Sequence, residues 1–137
     1  MLPGKIFADR LFVWTLNLFA LAVLAQIFLA GYAALLAPEV WDQHVAWVHV
    51  FQWLSVALPI AAYFSVRRIG FALFNCLPML IIGLQYMLVH MAIRRGEPAL
   101  VGLHAVGGVL LFGVLVFGFQ EWRYRLRAQK SPDLKPT

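Results

Sequence analysis

Polar residues are so sparse in this chain that four apolar stretches account for nearly all of it, at about residues 11–36, 40–66, 69–93 and 99–121. Each approaches or exceeds the ~20 residues that carry a helix across a ~30 Å hydrocarbon core. Strands are not expected, because an open sheet edge cannot be satisfied in lipid. The pattern therefore predicts an all-α fold, an integral membrane four-helix bundle. Residues 1–130 make one membrane domain, and the proline-containing tail 131–137 is expected to be disordered. The first stretch follows Lys5 and Arg10 as a secretory signal would. Its apolar part exceeds the roughly 7–15 residues of a signal core, and Pro38 follows its end, so it reads as a retained helix.

The few polar positions inside the stretches repeat. Asn17, Gln26, Pro38 and His44 recur as Asn75, Gln85, Pro98 and His104, at offsets of 58, 59, 60 and 60. The chain thus reads as two similar helical hairpins in sequence. In each, proline opens the second helix, where a missing N–H is harmless. Histidine follows six residues later, about 9 Å along the axis. Pro59 and Pro78 fall within stretches two and three and should bend them.

Composition agrees with a membrane protein, with 63% hydrophobic and 12% charged residues, against about 45–50% and 25% in soluble domains. The net charge of +5 reflects topology and attraction to lipid headgroups rather than nucleic acid. Lys5, Arg10, Arg67, Arg68, Arg123, Arg125, Arg127, Lys130 and Lys135 fall on one side, and only Arg94 and Arg95 on the other. Basic residues collect in short cytoplasmic loops, so both termini are expected in the cytoplasm. Cys76 is the only cysteine and reads as a structural thiol.

Ionisable groups in a membrane interior mark function by default. His44 and His104, at matched depth in the two hairpins, are suited to ligate one metal, and the expected cofactor is haem b. Gly107 and Gly108 lie near His104 and leave room for a flat ring or for a neighbouring helix. Arg94 and Arg95 stand at the level of the ring's propionates. Trp47 and Trp53 are placed to flank a ring, whereas Gln26 and Gln85 read as interhelical hydrogen-bonding groups, with a histidine or cofactor as the alternative partner. His49 is turned about 140° from His44 on an ideal helix. It and His90 read as structural hydrogen-bonding groups. A chlorophyll-type pigment is the alternative ligand. The sequence carries no nucleophile with its base, no phosphate loop and no buried carboxylate pair, so no enzyme activity and no catalytic residue is expected.

Leu24-x-Gln26, Trp41-x-x-His44, Leu84-Gln85 and Leu103-His104-x-x-x-Gly108 together resemble a bacterial family of small four-helix membrane proteins of unknown function. The pattern is also similar in style to transmembrane b-type cytochromes. The first resemblance implies the fold and a bacterial inner membrane. The second implies electron transport with His44 and His104 as haem ligands, although Val48 stands where the fourth helix has Gly108. Expected partners are the lipid bilayer and either subunits of a larger respiratory or photosynthetic complex or further copies of the chain. A non-redox accessory subunit is the competing reading.

Overall fold

The computed structural model describes residues 3–130, and the tail at 131–137 lies outside them. Every regular element among the described residues is helical. Helix α1 runs Pro3–Leu35, α2 Trp41–Phe51, α3 Leu54–Val66, α4 Ile69–Phe74, α5 Leu77–Arg95 and α6 Pro98–Lys130. They form four spans, because α2 and α3 share one and α4 and α5 share another. All four are long and apolar enough to cross a membrane.

Two spans expected to bend are interrupted outright. The third breaks at Asn75–Cys76 because Pro78 occupies the first turn of α5 and has no N–H for the preceding turn. Asn75 is buried there and its side-chain amide donates to the Phe71 carbonyl at 2.8 Å. Cys76 is half-buried and directs its Sγ toward the Ala72 carbonyl at 3.6 Å. The second span breaks at Gln52–Trp53, ahead of Pro59 rather than at it. Ser55 Oγ donates to the Gln52 carbonyl at 2.6 Å, and the Ser55 and Val56 amides reach back only three residues. That pattern is the tighter 3₁₀ turn. The first helix starts earlier than expected, at Pro3, and the fourth carries on through the basic segment at 123–130 to Lys130. At ~1.5 Å per residue each is about 50 Å long, well beyond the hydrocarbon core.

The hairpin turns are short. Gly96 ends α5 with φ +66°, and its amide and that of Glu97 both donate to the Ala92 carbonyl. This is the left-handed helix stop that glycine adopts without strain. Pro98 then opens α6, as Pro38 opens the 3₁₀ turn Pro38–Val40 that leads into α2. Arg67 takes the same left-handed conformation (φ +54°) between α3 and α4, a backbone state that a side chain tolerates less well.

Helix α1 is the centre of the bundle, packing along α2, α3 and α6, while α6 also packs along α5. Phe12, Leu16, Phe19 and Val23 make one stripe of α1 at spacings of four, three and four residues. The stripe meets Leu58, Ala61 and Ala62 of α3, Phe71 of α4, and Leu111 and Leu115 of α6. Alanines at the crossing let the backbones approach, which matters where dispersion rather than water drives association. Below this core, Asp9 accepts from Lys5 Nζ (2.6 Å) and from Ser65 Oγ (2.6 Å), and Trp122 Nε1 donates to Ser65 Oγ (2.9 Å). Lys5 also donates to the Ser65 carbonyl. This network joins α1, α3 and α6 at the end that carries the termini. The opposite end, with the two hairpin turns, is packed loosely. There α2 packs chiefly on α1, and most residues of α6 from Pro98 to Val106 are exposed.

Candidate functional site between the two hairpins

In the loosely packed half, the glutamine of each hairpin's first helix bonds the histidine of its second. Gln26 Nε2 of α1 lies 3.0 Å from His44 Nε2 of α2. With the amide nitrogen turned toward the ring, Gln85 of α5 donates to His104 Nδ1 (2.8 Å) and to the His104 carbonyl (2.7 Å). Its Oε1 then accepts from the Gly108 amide at 3.1 Å. One side chain thereby holds both the ring and the backbone of α6. The repeated Gln and His positions thus correspond in space. The asparagines do not, since Asn75 is buried and Asn17 is exposed on α1.

The two histidine rings approach each other from different hairpins, with centroids 6.4 Å apart and planes at 68°. An imidazole nitrogen sits about 2.0 Å from a bound metal, which places two rings opposed across one metal roughly 6 Å apart. His44 is buried, and its Nδ1 has no hydrogen-bond partner. Gln26 Oε1 is buried and unpartnered as well. Two orphaned polar atoms in a hydrocarbon environment are expensive, each costing on the order of 1–3 kcal/mol or more. Trp41 lies edge-on to His44 at 5.2 Å, and Trp47 is fixed to α1 by donating to the Ala22 carbonyl at 2.9 Å. Trp53 is exposed and away from the pair.

Each histidine accepts from a glutamine amide at one ring nitrogen, which leaves the proton on the other. A ligating imidazole donates from its outer nitrogen instead, so the pair could hold a metal only with both glutamines turned to present Oε1 to the rings. The space beside Gly107, where a flat ring was expected, is taken instead by Gln85. A Cβ on Gly107 would lie 3.1 Å from Gln85 Cδ, so glycine is what lets Gln85 cross α6 to His104. Gly108 contributes its amide to Gln85, and a Cβ there would meet Ile27 at an ordinary 3.9 Å. Arg94 and Arg95 are exposed in the last turn of α5, and His90 is exposed on the same helix. Among the described residues no three His, Cys, Asp or Glu side chains gather into a metal site.

Gly107→Leu should displace Gln85 and lower stability by about 1–3 kcal/mol, the usual range for overpacking. Gly113→Leu, on the same helix with nothing within 4 Å of its Cβ position, should leave the melting temperature in detergent unchanged. Equal melting temperatures for the two variants would mean that Gly107 has no such role.

Fold and site together define a four-span helical membrane protein with a Gln–His pair in each hairpin. Residues 26–93, from Gln26 to the last turns of α5, match a family described as a family of unknown function, DUF6220. The sequence-level resemblance to a family of that kind holds over this stretch, which contains the first Gln–His pair and Gln85. No curated protein and no solved structure matches the chain.

Proposed function

We propose that the protein is a b-type-cytochrome-like electron carrier of the bacterial inner membrane, in which His44 and His104 are the axial ligands of one haem. The observation that carries this reading is the unpartnered Nδ1 of His44, together with the unpartnered Oε1 of Gln26, on a ring 6.4 Å from that of His104. With Oε1 turned to accept from Nε2–H, Nδ1 is free to bind a metal. Bound haem would supply one-electron transfer through its iron. Gln26 and Gln85 hold the two rings in orientation, α2 and α6 set their depth, and the apolar bundle excludes water. With both histidines holding the group, the site would serve electron transfer and leave bond chemistry to other proteins. The test is the absorption spectrum of the purified protein, oxidised and reduced. A Soret band with sharp visible bands on reduction supports the reading. A colourless protein refutes it and favours a non-redox accessory subunit, whose two Gln–His pairs serve only to fix the hairpins.

The proposed orientation has both termini in the cytoplasm and the site in the outer leaflet, because nine basic residues lie at the terminal end and two at the turn end. Reporter fusions at the C-terminus and in the loop at 94–98 should therefore report opposite sides. A C-terminal reporter active outside the cytoplasm would invert the placement of the site.

A further inference from the structure

We propose that a groove at the break of the second span binds the head group of a membrane-soluble quinone, and this stands independently of the haem reading. The groove has a volume of about 230 Å³ and is lined by Gln52, Trp53, Ser55, Met79, Gly83 and Tyr86, among others. These residues lie near the middle of spans Pro38–Val66 and Ile69–Arg95, so the groove faces the hydrocarbon at mid-depth. A ligand must reach it from within the bilayer. Drug-sized ligand pockets run to about 300–1,000 Å³, so this one suits a single ring.

The polar groups at the groove select the chemistry. Tyr86 Oη lies 3.2 Å from His49 Nδ1 and 3.2 Å from Gln52 Oε1. Gln52 Nε2 in turn donates to the His49 carbonyl at 3.2 Å. Tyr86 has one proton for two equidistant neighbours. When the proton points to Gln52, the imidazole Nδ1–H donates to the phenol oxygen. When it points to His49, the bare Nδ1 accepts. The trio therefore has two hydrogen-bonding states, and in either of them Tyr86 and Gln52 stand at the groove wall. A quinone accepts hydrogen bonds when oxidised and donates them when reduced, so it needs a wall that does both. An acyl chain has no use for any of these groups, and polar side chains placed in hydrocarbon are costly without a partner. Trp53, exposed at the groove, offers an aromatic face, and Met79 a polarizable thioether.

The experiment uses the full chain in lipid nanodiscs, with a benzoquinone bearing a ten-carbon tail as probe and equilibrium binding as readout. Saturable binding near one per chain is expected. Tyr86→Phe keeps the ring but removes the hydroxyl, and should weaken binding about tenfold, the equivalent of one good hydrogen bond. Gly83→Leu projects a side chain into the groove while leaving the three polar groups of the trio in place. Nothing lies within 4 Å of its Cβ position, so it should fold normally and abolish binding. Unchanged melting temperatures confirm that the variants are folded. Absence of saturable binding, binding indifferent to both substitutions, or equal displacement by a ten-carbon alkane would each overturn the proposal. A colourless wild-type protein that still binds the quinone would remove the haem reading and leave this one standing.

Discussion

His44→Ala and His104→Ala should each strip most of the haem from the purified protein, while His49→Ala leaves its content unchanged. His44 and His104 are the only pair of histidines in ring contact among the described residues, and they come from different hairpins. Each ring already spends one nitrogen on a glutamine, so removing either leaves a single axial donor. His49 is bonded to Tyr86 and belongs to a different polar group. Gln26→Ala removes only the orienting bond, for which a loss of roughly 10–100-fold in affinity is usual, whereas Gln85→Ala also removes the bonds to the α6 backbone. The measurement is the ratio of haem to protein together with the reduced spectrum. Full haem content in both single histidine variants would exclude this pair as the ligands. A single change from two-histidine to one-histidine coordination in each variant would support the assignment more strongly than lost colour alone.

Truncating the centre of the bundle should have the largest effect on stability. Phe12 is fully buried and packs on Phe71 (centroids 5.4 Å apart) and Trp122 (5.9 Å), joining three spans. Phe12→Ala should cost about 3–5 kcal/mol, the range for emptying an aromatic site in a packed core. Phe28, also on α1, is 67% exposed and faces lipid. Phe28→Ala should change stability little, because lipid fills the space that a rigid core cannot. The contrast separates packing from hydrophobicity, since both substitutions remove the same side chain from the same helix. Reversible unfolding in mixed micelles measures it. Similar losses in the two variants would mean that α1 is not the central helix, and would also remove the basis for placing Gln26 inside the bundle.

How far each feature could be read ahead of the structure follows from how local its cause is. The four spans were legible because backbone groups in lipid leave a helix few alternatives, and apolar length alone then marks each crossing. The proline openings of α2 and α6, and the glycine stop at Gly96, are likewise decided by a residue's own backbone chemistry. The interruption at Asn75–Cys76 was foreshadowed by Pro78, but the one at Gln52–Trp53 depends on how Ser55 and Gln52 bond across a turn. Matched Pro-to-His spacing placed His44 and His104 at equal depth. The repeat offered a histidine among the partners open to Gln26 and Gln85, but did not reveal that each pairs within its own hairpin. Nor did it reveal that Gly107 exists to admit Gln85, because a glycine beside a histidine looks the same whether a cofactor or a side chain fills the space. The Lys5–Asp9–Ser65–Trp122 network was hidden for a similar reason. Asp9 stands at the membrane boundary, where a carboxylate needs no explanation, and its partner Ser65 lies 56 residues away. What the sequence by itself determined is therefore the four spans, the proline openings and the glycine stop, all consequences of short-range backbone and solvation energies. Only the tertiary structure decided which polar groups meet, because rotation of one helix about its axis changes every side-chain partner while leaving its hydrophobic length the same.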